Sequence, residues 1–216
     1  MRATRTSGSD QIKMFSLAAA MAVVVMATIG VPSASGQIVN PDFESGNTGF
    51  TSGYAFGDVS DPGTYTIGTN PAAVAGAYRD WQPFGDHTSG TGMMMIVNGA
   101  TSSSIPVWSE TVAVTPNTNY QFSFWGATID ADSNSRTNLQ VKINGSSVGS
   151  GNLFPAASPL TGGAWTQFKV AWYSGSATTA AIGLFDLNTS APWNDFALDD
   201  ISLTAQPAKG GVKVVH

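Results

Sequence analysis

Two histidines are all that this 216-residue chain offers as side chains that titrate near neutral pH. His216 is the last residue, so a nucleophile–histidine–carboxylate centre would have to form around His87, within Gly85-Asp86-His87-Thr88. The stretch Gly145-Ser146-Ser147-Val148-Gly149 has the G-x-S-x-G spacing of a nucleophile elbow. That elbow works only between a strand and a helix, whereas here Asn144-Gly145 predicts a tight turn between two strands. Glycoside hydrolysis would need two carboxyl groups facing each other at about 5–9.5 Å. The candidates are Glu110, Asp186 and Asp195, and no sequence relation implies that any two of them face. Asp130-Ala131-Asp132-Ser133-Asn134 opens like an EF-hand loop, but the required glycine and glutamate positions hold Ser135 and Val141. A polar turn and a weak calcium site both stay open there. The residues that could do chemistry do not assemble into a catalytic centre, and a non-enzyme is expected.

The elements that must position them are strands. After Gln37 a 3.6-residue apolar period is hard to find, while short runs of Val, Ile, Phe, Tyr, Trp and Thr recur between clusters of Gly, Pro, Asn, Asp and Ser. The pattern predicts strands at 64–68, 93–98, 108–114, 119–129, 137–143, 166–173, 178–186 and 196–204, with a short one at 37–40. Eight or nine strands suit an all-β, two-sheet jelly-roll β-sandwich. Leu139, Val141 and Ile143 alternate with polar residues before the Asn144-Gly145 pair, which favours a type I′ hairpin. Tyr120, Phe122 and Phe124 share one parity and Gln121, Ser123 and Trp125 the other, so Trp125 should stand on the face opposite the core set. The segments before Thr64 and from Gly76 to Gly92 lack periodicity and read as loops.

The N-terminus reads as a targeting segment. Arg2, Arg5 and Lys13 precede an apolar run from Phe15 to Val31 and a small-residue stretch ending at Gly36, the order of a secretory signal peptide. The expected organisation is a signal peptide at 1–36, one domain at 37–204 and a flexible tail at 205–216. Removing the signal takes three basic and one acidic residue from the nine and fourteen of the whole chain, leaving six and thirteen, a net charge of −7. That charge disfavours nucleic acid and anionic membranes as partners. The chain has no cysteine, so no disulfide can brace it. No apolar run after the signal approaches the ~20 residues of a membrane span. Asn144-Gly145-Ser146 and Asn188-Thr189-Ser190 have the form of N-glycosylation acceptors.

Two distant segments carry a family resemblance. Asn40-Pro41-Asp42-Phe43-Glu44-Ser45-Gly46 resembles the N-G-x-F-E-x-G opening of carbohydrate-binding modules of the family 4/9 type. Asn194-Asp195-Phe196-Ala197-Leu198-Asp199-Asp200-Ile201-Ser202-Leu203 resembles their closing F-x-L-D-D-[IV]-S-L strand. Val114-Thr115-Pro116-Asn117-Thr118-Asn119-Tyr120 and Trp165-Thr166-Gln167-Phe168 are similar to internal strand signatures of the same family, so the resemblance spans nearly all of 37–204. The 85–99 stretch also looks like exported bacterial surface proteins that share this module.

The resemblance implies a galactose-binding-like jelly roll, secreted or associated with the cell surface, that binds a polysaccharide or cell-surface glycan. It also implies a structural calcium ion held by Glu44 and Asp199, with Asp200 a further candidate. The alternative for those carboxylates is that they accept hydrogen bonds near the chain ends. Sugar recognition in the family relies on aromatic stacking. Here that implies Trp125 with Gln121 beside it, and Tyr54, Trp81 and Trp193 in predicted loops, each of which could equally be a buried anchor. Trp165 and Trp172 read as core. A structural or adhesive extracellular protein with the same fold and no sugar recognition is the other functional expectation.

Overall fold

A computed structural model of the chain describes residues 37–76, 80–130, 137–152, 163–191 and 194–207. The signal segment, the tail beyond 207, the middle of the EF-hand-like stretch and Trp193 lie outside the described residues. Ten strands and one short helix follow in the order β1 (Ala55–Phe56), β2 (Thr64–Gly68), α1 (Pro71–Val74), β3 (Met94–Asn98), β4 (Pro106–Ala113), β5 (Asn119–Thr128), β6 (Asn138–Ile143), β7 (Ser146–Asn152), β8 (Thr166–Tyr173), β9 (Thr179–Asp186) and β10 (Phe196–Ala205). They form a six-stranded sheet ordered β1-β2-β3-β10-β5-β8 and a four-stranded sheet ordered β4-β9-β6-β7. This is the two-sheet jelly-roll β-sandwich that the sequence pattern predicts.

The strand pattern falls where the apolar alternation places it. On β5 the side chains of Tyr120, Phe122 and Phe124 are fully buried. They meet Leu139, Val141 and Ile143 of β6, Ile182 and Leu184 of β9, and Phe196 and Leu198 of β10 in one core between the sheets. Asn144 and Gly145 have φ of 50° and 80°, the left-handed pair that a type I′ turn requires, and β6 pairs with β7 on either side of it. Ser147 of the G-x-S-x-G match therefore sits within β7, in a hairpin and not in an elbow. The same turn occupies the first glycosylation sequon. The Asn144 side chain bridges to β9, its Oδ1 accepting from Ala181 N–H at 2.8 Å and its Nδ2 donating to the Thr179 carbonyl at 3.1 Å.

Three things differ from the sequence expectation. Residues 37–40 are not a strand; they run as irregular chain, and Ile38 alone of them is buried. Ser146–Asn152 is a strand that its Gly and Ser content concealed; Gly149 and Gly151 lie against Phe168 and Val170 of β8, where a Cβ would be crowded at 3.0 Å. A second core lies on the outer side of the six-stranded sheet, where Val59, Trp81, Met94, Ile96, Ile129 and Ala197 are buried beneath the segment that joins β2 to β3. It accounts for β3, in which all five residues are buried because both faces of the strand are covered.

Phe122 lies at the centre of the main core, beside Trp108 and Phe124 with ring centroids 6.4 and 6.1 Å away. Phe122→Ala is expected to lower the unfolding free energy by about 3–5 kcal/mol, read from denaturant titration of the two proteins.

Candidate functional site

The closing strand β10 lies between β3 and β5, and its register on β5 breaks between Asp199 and Ser202. At that bulge Asp200 takes a left-handed φ of 49°, and Ile201 N–H donates to the Pro41 carbonyl at 2.9 Å. The 40–46 segment is thereby brought to the closing strand, as the paired motifs at the two ends of the domain imply. The bulge turns two adjacent carboxylates toward the loop 85–93. Asp199 Oδ2 accepts from the N–H groups of His87 and Thr88 at 2.8 and 3.2 Å, and from the Thr88 hydroxyl at 3.3 Å. Asp200 Oδ1 accepts from the same hydroxyl at 2.8 Å, and His87 Nδ1 lies 2.5 Å from Asp200 Oδ2.

The other end of this loop is held by two more carboxylates. Asp86 accepts from Ser89 N–H at 2.7 Å and Gly92 N–H at 2.6 Å, and Glu44 Oε1 accepts from Met93 N–H at 2.7 Å. Burial pushes the Asp86 carboxyl up, but the donors of Ser89 and Gly92 outweigh it and hold the group below its ordinary value. Glu44 and Asp86 crowd the same side of Gly92, where a Cβ would collide with Glu44 Oε1 and press on Asp86 Oδ2 at 3.1 Å.

Glu44 and Asp199 thus hold opposite ends of one loop, each as a hydrogen-bond acceptor. Among the described residues no three Asp, Glu or His side chains gather as a metal-ligand group. Glu44 Oε1, Asp199 Oδ2 and both Asp200 carboxylate oxygens are engaged by hydrogen-bonding partners in this arrangement.

The aromatic residues expected at a sugar site are dispersed. Trp125 does stand on the face opposite Phe122 and Phe124, but the His87 ring is stacked on it, with centroids 3.8 Å apart and planes 17° from parallel. Trp165, which donates from Nε1 to the Gly85 carbonyl, meets the same histidine edge-on at 5.9 Å. Gln121 lies four residues along β5, half-buried, paired with Ala171 and Thr204. Tyr54 is 6% exposed, its hydroxyl accepting from Ala100 N–H at 3.1 Å. Trp81 is 4% exposed, and its Nε1 donates to Asp195 Oδ2 at 3.1 Å. Tyr54 and Trp81 are therefore loop anchors: each spends its polar atom on an internal partner at the end of the sandwich. Trp172 is half-buried and packed on the main core, and Trp165 on the second.

That end of the sandwich also buries the carboxylates that might have formed an acid/base pair. Asp186 accepts from Asn188 N–H at 2.9 Å and from Asn194 Nδ2 at 3.0 Å, and Asp195 Oδ1 accepts from Gly99 N–H at 3.0 Å. Both residues are 1% exposed. Burial, in excess of what these donors return, raises Asp186 to about 7, with the Asp195 charge adding to the rise. Burial and the neighbouring Asp200 likewise raise Asp199 to about 7. The Asp186 and Asp195 carboxyls are thus buried and hydrogen-bonded at this end of the sandwich.

The open surface lies elsewhere. A groove of about 750 Å³ runs over the outer face of the four-stranded sheet, walled by Val39 and residues 49–51. Ser109, Gly183 and Lys142 form one cross-strand row on its floor, because Gly183 pairs with Ser109 on one side and Lys142 on the other. Glycine at 183 lets the Phe185 ring lie over it; a Cβ there would meet Phe185 Cε2 at 2.8 Å. The Lys142 ammonium stands 4.3 Å from the centroid of that ring. Glu110 lines the groove with Oε1 accepting from Val39 N–H at 3.0 Å and Oε2 buried without a protein partner, and burial raises its carboxyl. Sequence reasoning missed this groove. The available signal was Gly183-Leu184-Phe185, a glycine two residues from an aromatic on one strand face.

No protein-family model matches the chain, and no curated protein matches it. Solved structures are similar to it. The Stig cyclase Fisc from Fischerella sp. TAU aligns with a TM-score of 0.54 at 13% identity, over 82% of this chain and 100% of that one. The CBM22-1 xylan-binding domain of Xyn10C from Paenibacillus barcinonensis aligns with a TM-score of 0.45 at 15% identity, over 77% and 92%. The C-terminal domain of the sugar-binding protein EclA gives 0.39 at 12%, over 46% and 66%. At these identities the likeness to the cyclase speaks for the β-sandwich alone.

Two outcomes follow from these carboxyls. Gly92→Ala should lower stability by about 1–3 kcal/mol, as a side chain forced between Glu44 and Asp86 displaces the loop; a lowered melting temperature is the readout. Asp186 titrates near 3.8 when unfolded and about 7 when folded, so its contribution is fully present below pH 3.8 and is lost as pH rises toward 7. Melting temperature should therefore fall between about pH 4 and 7, with Asp199 acting in the same sense, and the fall should be shallower in Asp186→Asn.

Proposed function

We propose that this chain is a secreted, non-catalytic carbohydrate-binding module whose binding face is the groove over the four-stranded sheet. The observation that carries the reading is the Phe185 ring laid over Gly183 in an open groove, with the Lys142 ammonium over the ring and the Ser109 and Thr111 side chains along the β4 margin. An aromatic ring beside a few polar groups suits a pyranose: its C–H groups pack against the apolar surface and its hydroxyls meet hydrogen-bond partners, the Lys142 ammonium among them. The resemblance of the chain's motifs to family 4/9 modules points the same way. A glycan array should show a polysaccharide ligand, and Phe185→Ala should weaken its binding by about tenfold or more. Unchanged binding in that variant would remove the groove from the reading.

The second reading is a structural or adhesive extracellular protein without sugar recognition. It is favoured by the burial of Tyr54 and Trp81 and by the His87 ring that occupies Trp125. A glycan array without a hit for the well-folded protein would establish this reading over the first.

Calcium at Glu44, Asp199 and Asp200 is a separate proposal, supported by the family resemblance of the two chain ends. It predicts that a chelator lowers the melting temperature by several degrees, since an ion bound only to the folded state stabilises it. An unchanged curve would leave these carboxylates as hydrogen-bond acceptors only.

A further inference from the structure

Lys142 is oddly placed for an acidic protein. Between residues 37 and 207 the sequence has four basic residues, Arg79, Arg136, Lys142 and Lys169, against thirteen Asp and Glu residues. Yet no described carboxylate forms an ion pair with Lys142. Its ammonium rests instead over the Phe185 ring, in the groove. Glu110, the groove's carboxylate, lies across the intervening strand β9: it pairs with Ile182 while Lys142 pairs with Gly183. It shares the strand parity of the buried Trp108 and Val112, not that of Ser109, and its Oε1 is tied to Val39 N–H in the groove wall.

A ligand seated on Phe185 must cover this ammonium. A neutral sugar would strip water from the charge and return only hydroxyl contacts, which is costly for a cation. A sugar bearing a carboxylate would supply the counter-charge at the same point and form a charge-assisted hydrogen bond. We infer that the groove selects anionic glycans, with Lys142 binding the carboxylate of a uronic acid residue whose ring lies along Phe185. This inference rests on the groove reading above and adds the ligand class. The net negative charge of the chain opposes such a ligand at long range, but that repulsion is screened beyond about 8 Å at physiological salt. The local contact then decides affinity.

Polygalacturonate and its fully methyl-esterified form carry the same sugar with and without the charge, so affinity electrophoresis of the full chain through gels containing each polymer isolates the effect. The charged polymer should retard the protein more strongly. Lys142→Met, which keeps an apolar stem over Phe185, should weaken that interaction by about ten- to a hundredfold, with Lys142→Arg retaining most of it. Both variants should melt with the parent protein. Equal retardation by the two polymers, or an unchanged affinity in Lys142→Met, overturns the inference while leaving a glycan-binding groove in place. Absence of binding to both polymers and to every neutral glycan on the array overturns the module reading and the inference together.

Discussion

The pairing of β10 with β5 in the middle of the six-stranded sheet is the contact on which the other features depend. It joins the end of the domain to its centre, and its bulge at Asp199–Ser202 is where three separate stretches of chain converge. Ile201 reaches the Pro41 carbonyl, Asp199 and Asp200 receive the 85–93 loop, and the unbroken half of the strand continues to β3. Asp199 is 0% exposed, and such a carboxyl is tolerable only because N–H and O–H donors surround it. A cysteine-free domain has no covalent closure, so this hydrogen-bonded junction and the core beneath it do that work.

The junction also makes the two faces of the sandwich unequal. The segment between β2 and β3 is drawn across the outside of the six-stranded sheet, bringing His87 onto Trp125 and burying Trp81, Met94 and Ile96 in a second core. Among the described residues, the outer side of the four-stranded sheet keeps Phe185, Ala181, Thr111 and Lys142 around a groove.

Polar residues show the same division between local and distant causes. Asn144 has a local job, since its left-handed φ is a property of the Asn-Gly pair, but its side chain also completes the edge of β9. Asp186 and Asp195 carry no local signal of burial at all. They are buried because their strand end and the loops around Asn98 and Asn194 close over one pole of the sandwich, where Tyr54 and Trp81 are anchored.

What the sequence determined by itself is whatever depends on neighbours two to four residues away. The alternation in Tyr120–Trp125 and Leu139–Ile143 set which faces are core, and Asn144-Gly145 set the hairpin, because pleat and turn geometry are local. The apolar run at 93–98 marked a strand, but that both of its faces are covered came only with the tertiary structure. The fate of each aromatic needed tertiary structure. Trp125 was correctly assigned to the outer face, yet its cover, His87, comes from 38 positions earlier and is held there by Asp199 and Asp200. Likewise Ser109, Gly183 and Lys142 form a row only through the pairing of three strands that are far apart in sequence. Exposure and convergence are properties of which segments lie over which, and no window of sequence contains both partners.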